Sequence, residues 1–292
     1  MTLDPAALRD AITRWYASAA RDLPWRRPDA TPWAVLVSEV MLQQTPVSRV
    51  LPAHDNWLAR WPTPSDLARS APGDAVRAWN RLGYPRRALR LHAAAVAIVE
   101  RHGGAVPSSY VELRELPGIG DYTAAAVAAF AFGRRHVVLD TNVRRVLGRV
   151  LTGVALPGAS VTVAERSLAE SLLPDDGRLA ARLSVGLMEL GALRCRARDP
   201  QCFGCPLATG CAWRLAGAPA NGSRRPAQKY DGTDRQARGR LLAVLRDSDR
   251  PVTRRRLDAA WPDDGQRTRA LDGLVADGLV EPLPRGRFRL PA

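Results

Sequence analysis

The sequence predicts a mostly α-helical protein with two helical lobes and a small C-terminal module. Apolar residues recur at helical spacing over most of the first 215 positions, short Pro- and Gly-bearing loops punctuate them, and strand-like alternation appears only near the C-terminus. A chain of 292 residues is long enough for two domains and a small third, each with its own core.

The periodicity places helices over Asp4–Ala20, Trp33–Leu42, Ser48–Trp61, Gly73–Leu82, Arg86–Arg101, Ser109–Arg114, Tyr122–Phe132, Thr141–Leu151, Val161–Leu173 and Leu179–Gly191. Loops such as Trp61-Pro62-Thr63-Pro64, His102-Gly103-Gly104 and Leu156-Pro157-Gly158 separate them. The expected organisation is a helical body over 1–215, with one lobe of about 28–135 and another built from 1–27 and 136–215. Residues 216–229, rich in small and turn residues, read as a linker. Residues 230–292 follow with helices over Gln236–Arg246, Arg254–Trp261 and Gln266–Asp277 and two strand-like pieces, Gly278–Glu281 and Arg285–Leu290. That order resembles a winged helix, with Arg285, Arg287 and Arg289 expected on one strand face as a phosphate clamp.

The net charge of +14 and a pI near 11.0 imply a polyanionic partner, nucleic acid ahead of an anionic membrane. Lys229 is the single lysine, so almost no amine is available for covalent chemistry. There is no N-terminal basic-then-apolar signal and no run of 18 apolar residues, so a soluble, intracellular protein is expected.

Four cysteines fall between Cys195 and Cys211, spaced as Cys195-x6-Cys202-x2-Cys205-x5-Cys211. One close pair flanked by two outer ligands favours a [4Fe–4S] cube over structural zinc, whose sites usually pair two close knuckles. Clustering in a chain expected inside the cell speaks against disulfides.

Three further features carry chemistry. Leu116-Pro117-Gly118-Ile119-Gly120-Asp121 leads into an all-apolar helix, and its glycines permit a tight turn with N–H groups facing a phosphate; a plain helix connection is the simpler alternative. Glu39 stands in the otherwise apolar Val35–Leu42. It is a partnered or proton-holding carboxyl if buried, and an ordinary helix-edge residue if not. Asp140 follows Val137-Val138-Leu139 and precedes a helix, as an N-cap would; the helix dipole there favours its ionised form, which suits stabilising a nearby cation.

Together these motifs resemble those of MutY-type adenine DNA glycosylases of the helix-hairpin-helix superfamily. The matching text is Arg21-Asp22-Leu23-Pro24-Trp25-Arg26, Ser38-Glu39-Val40-Met41-Leu42-Gln43-Gln44-Thr45, Arg81-Leu82-Gly83-Tyr84, the turn at Gly118 and Gly120, Leu139-Asp140-Thr141-Asn142-Val143-Arg144-Arg145-Val146, Met188-Glu189-Leu190-Gly191-Ala192 and the cysteine loop, over about residues 5–215. The resemblance implies a helix-hairpin-helix glycosylase fold with a [4Fe–4S] cluster on Cys195, Cys202, Cys205 and Cys211. It implies that Glu39 protonates N7 of a flipped adenine and that Asp140 stabilises the oxocarbenium-like sugar. Tyr122 and Asn142 would support them; Arg21, Leu23, Trp25, Arg26 and Glu189 would line the adenine pocket. Gln44 and Tyr84 would enter the DNA stack, and Gly118 and Gly120 would contact phosphate.

The implied partner is double-stranded DNA carrying adenine opposite 8-oxoguanine or guanine, bound by a monomer in the bacterial cytoplasm and nucleoid, with no membrane contact. Pro85 and Thr141 depart from the commonest family text. The 63 residues from Tyr230 are too few for the Nudix-like domain that many members carry. Rival readings are a thymine-mismatch or endonuclease III-like glycosylase on the same scaffold, and a non-catalytic iron–sulfur DNA-binding protein. Tyr122 stands where the lyase family has its lysine, which speaks against a lyase.

Overall fold

The computed structural model describes residues 4–221 and 230–292; the remainder of the expected linker, Lys229 included, lies outside the described residues. The described residues are helical throughout, apart from one small sheet near the C-terminus, and they form two compact units.

The first unit comprises residues 1–32, 108–111 and 120–226. Its core is built by Leu8 and Ile12 of helix Pro5–Ala19, Val143, Val146 and Leu147 of Thr141–Leu147, and Leu183, Leu187 and Leu190 of Gly177–Leu193. Helix Asp121–Phe132 is apolar on all sides and buries residues 123–129. It belongs here rather than to the lobe expected to reach residue 135. The helix expected to continue from Thr141 to Leu151 changes at Gly148 into a wider π turn, Gly148–Thr152.

The second unit comprises residues 33–107, 112–119 and 227–292. Helices Pro32–Leu42, Val47–Arg60, Pro72–Trp79 and Arg86–His102 enclose Trp57 and Trp79, whose rings meet edge to face. A short helix, Pro64–Ala68, occupies what reads in sequence as loop. Thr63 and Asp66 form a reciprocal capping box and Pro64 takes the first-turn position, where its missing N–H costs nothing.

Residues 230–292 fold as helix Asp234–Arg246, strand Val252–Thr253, helices Arg254–Asp258 and Asp264–Ala276, then strands Glu281–Leu283 and Arg287–Arg289. The last strand lies between the other two, antiparallel to both, which is the layout of a winged helix. This module is joined to helix Pro72–Trp79 by reciprocal bonds: Arg77 donates to the carbonyls of Arg246 (3.0 Å) and Ser248 (2.7 Å), and Arg246 donates to that of Val76 (3.0 Å). The Gly73 N–H donates to Pro291 O at 2.8 Å. The three-arginine clamp face is not formed as expected. Arg285 lies in the turn with φ 63°, and Arg289 is paired with its cross-strand neighbour Glu281 at 2.9 Å; Arg287 remains exposed on the strand. The three-residue turn takes Arg285 out of the strand's alternation.

Candidate active site

In the first unit, Asp140 is the N-cap of Thr141–Leu147. Its Oδ1 accepts from the Val143 N–H at 2.7 Å and its Oδ2 from the Asn142 amide at 2.8 Å. Burial nevertheless lifts the carboxyl above its ordinary range, against the opposing pull of these donors and of Arg145. The helix terminus thus does not by itself set the charge state, because desolvation outweighs it.

Asn142 is held in turn. Its Oδ1 accepts from Arg145 at 2.7 Å, and the same guanidinium donates to Gly191 O (2.8 Å) and Cys195 O (2.7 Å). Gly191 permits the close approach, since a Cβ there would lie 2.6 Å from the Asn142 Cβ. Tyr122 packs, half-buried, against Ala125, Ala126, Ala129 and Val138.

Glu189 is fully buried. It accepts from the Arg21 N–H (3.1 Å), Arg21 Nε (2.6 Å), Arg21 Nη2 (2.8 Å) and Arg26 Nη1 (2.7 Å). Burial alone would raise its pKa, but the two guanidiniums overcome this and hold it at about 2. Its oxygens are occupied, so Glu189 organises the segment Arg21–Arg26, in which Leu23 and Trp25 are buried.

All four cysteines border one pocket, lined otherwise by residues such as Val146, Val150, Leu190, Trp213 and Arg149. Burial pushes the Cys205 thiol up to about 11, with the other three cysteines adding to the rise. Arg149 donates to Cys195 Sγ at 3.3 Å and to Arg196 O at 2.8 Å, and stacks over Trp213. Among the described residues no three His, Cys, Asp or Glu side chains stand together as a single-ion site. A soft, sulfur-only donor set suits a thiophilic iron–sulfur cluster, whose iron ions would draw the thiols into the thiolate form, and the guanidiniums of Arg149, Arg194 and Arg214 lining the pocket would offset the negative charge that four thiolates bring.

In the second unit, Glu39 is 4% exposed within Pro32–Leu42, where every residue from Trp33 to Met41 is buried. It is therefore not a helix-edge residue. Gln44 and Tyr84 both stand on left-handed backbone, φ 55° and 49°, and both are exposed. Pro85 sits immediately before helix Arg86–His102 and stops it extending back through Tyr84. Gly118 is left-handed at φ 77°, and a Cβ there would strike the Arg90 side chain at 2.6 Å. Gly120, in the first unit, caps Asp121–Phe132 with open space at its Cβ position, the arrangement an approaching phosphate needs.

Sequence reasoning assigned no role to Arg87, Arg145 or Arg149, although all three are buried. The available signal was arginine inside otherwise apolar helical text, as in Val143-Arg144-Arg145-Val146-Leu147-Gly148-Arg149-Val150. Such cations must find carbonyl or carboxylate partners.

Residues 37–167 match the HhH-GPD superfamily base excision DNA repair protein family, and the helical fold is that of a DNA glycosylase. A solved thermostable thymine-DNA glycosylase shares the fold with TM-score 0.64 and 26% identity, covering 73% of this chain and 97% of its own. The chain belongs to the adenine DNA glycosylase family: it is 52% identical over 291 residues, 99% of this chain and 97% of the relative, to the adenine DNA glycosylase of Mycolicibacterium smegmatis. A thymine-DNA glycosylase of Aeropyrum pernix is 38% identical over 205 residues, 69% of this chain and 91% of its own. No helix among the described residues is long and apolar enough to cross a membrane.

Proposed function

We propose that this protein hydrolyses the N-glycosidic bond of adenine mispaired with 8-oxoguanine or guanine in double-stranded DNA and leaves the sugar–phosphate backbone intact. The observation that carries this reading is identity to an adenine DNA glycosylase that runs through the C-terminal module, beyond the extent of the match to the thymine enzyme.

The buried Glu39 carboxyl gives its proton to N7 of the adenine, so that the base leaves neutral. Electrons of the C1′–N9 bond depart with the base, and Asp140 stabilises the cationic sugar. Water then adds at C1′ and releases a proton, leaving an abasic site. Asn142 fixes the Asp140 carboxylate, and Tyr122 supports it. Leu23, Trp25 and the arginines positioned by Glu189 line the adenine pocket.

Strand cleavage through a Schiff base needs an amine. Tyr122 supplies none, and the single lysine, Lys229, lies far along the chain from these motifs. Cys195, Cys202, Cys205 and Cys211 would hold a [4Fe–4S] cluster, and their ligation to it would order the loop that carries them. The module at 230–292 adds phosphate contacts through Arg285 and Arg287, exposed on the wing and outside any ion pair among the described residues. The protein acts as a monomer on cytoplasmic, nucleoid DNA.

The test is single-turnover base release from duplexes pairing adenine or thymine with each normal and oxidised base. Adenine release that disappears in Glu39→Gln and Asp140→Asn, with little borohydride trapping, is expected. Thymine release, efficient trapping, or full activity in Glu39→Gln would overturn the reading.

A further inference from the structure

The second unit contains a buried arginine with no carboxylate partner among its hydrogen bonds. Arg87 is 6% exposed, in the first turn of Arg86–His102. One terminal nitrogen donates to Val40 O (2.9 Å), Met41 O (3.1 Å) and Gln43 O (2.5 Å). The other donates to Thr45 Oγ1 and Gly83 O, each at 3.0 Å. Val40 and Met41 end helix Pro32–Leu42, whose unpaired carbonyls are its negative pole and stabilise the buried cation. Burial lowers the guanidinium pKa to about 10, which leaves it charged at neutral pH.

The acceptors flank two unusual positions. Gln43 and Thr45 stand on either side of Gln44, and Gly83 immediately precedes Tyr84. Gln44 and Tyr84 are exposed residues on left-handed backbone, which non-glycine residues adopt only when the surroundings impose it. The Tyr84 ring lies 5.4 Å from the Arg87 guanidinium carbon, and the Trp79 ring lies 5.2 Å from it.

We infer that Arg87 is a positioning residue that locks the Gln44 and Tyr84 turns into one rigid unit, so that both side chains are presented together to the base stack of duplex DNA. The inference rests on the proposed DNA glycosylase role of these two residues. The planar fork matters: its two terminal nitrogens reach separate turns at once, whereas a lysine ammonium radiates from one point and cannot span them.

The test uses Arg87→Lys and, in case that variant does not fold, Thr45→Val, which removes one acceptor with little change of shape. Two readouts are followed: amide hydrogen exchange at residues 43–45 and 83–84, and fluorescence of 2-aminopurine placed beside the target adenine in a duplex. In folded variants exchange should quicken at both turns together and the unstacking signal should fall. Adenine release at saturating enzyme should slow about tenfold to a hundredfold for Arg87→Lys, as expected for misplaced groups, and by less for Thr45→Val. In a Gln44→Ala/Tyr84→Ala background Arg87→Lys should slow release no further. Additive losses, wild-type exchange in both variants, or quickening at one turn alone would overturn the inference. Should the wild-type protein release no adenine, the activity reading fails by itself, and the exchange and fluorescence arms still decide the role of Arg87.

Discussion

Replacing Glu189 with glutamine removes one negative charge from the buried meeting point of Arg21 and Arg26. The wild-type carboxylate is held at about 2 against an ordinary 4.5, a shift worth about 3 kcal/mol of folding stability at neutral pH. Because the folded-state pKa is depressed, this contribution is complete above the unfolded value and is lost as pH falls from 4.5 toward 2. Glu189→Gln should therefore be about 3 kcal/mol less stable than wild type in urea unfolding at pH 7, and more than half of that gap should have closed by about pH 3. The mutant amide keeps one accepting oxygen but turns an NH2 donor toward the guanidiniums in place of the other, so it is the pH-dependent part of the gap that reports the charge. A gap below about 0.5 kcal/mol at neutral pH, the size of an ordinary surface substitution, would refute the reasoning. So would a gap independent of pH.

Gly191→Ala should push Asn142 away from Asp140, because the new Cβ would lie 2.6 Å from the Asn142 Cβ. It should cost about 1–3 kcal/mol of stability and slow single-turnover base release more than it weakens duplex binding; equal effects on both would point to general unfolding. Arg149→Ala removes the donor to Cys195 Sγ and should weaken iron retention about tenfold or more, read by chelator challenge and the visible iron–sulfur absorbance. Arg285→Ala/Arg287→Ala should reduce the slope of log K against log salt by about 1.8, at about 0.9 for each phosphate no longer neutralised; an unchanged slope would exclude the wing from the interface. Truncation after Asn221 is not the clean test that a linker-tethered module would allow. It strips partners from Gly73, Val76 and Arg77, so the shortened chain should unfold at lower urea than the full-length protein.

The helical class and most helix positions were legible in the sequence because they depend on local matters: apolar period, proline and glycine punctuation, and capping residues such as Asp140. The same holds for the cysteine set, whose spacing constrains a loop whatever surrounds it. Pro64–Ala68 reads in the sequence as loop, because two prolines mask the capping signal of Thr63 and Asp66. Burial decided the rest. Whether Glu39 lay at an edge or in a core, and whether Asp140 kept an ordinary pKa, depended on how much water packing removes, which no local pattern records. Arg87 and Glu189 show the same limit more sharply. Their partners lie up to 47 and 168 positions away along the chain, so their roles exist only once the tertiary structure brings carbonyls and guanidiniums within hydrogen-bond reach. The sequence by itself determined the chemistry available to this protein, and the tertiary structure decided which charges are buried, because desolvation is a property of the folded neighbourhood.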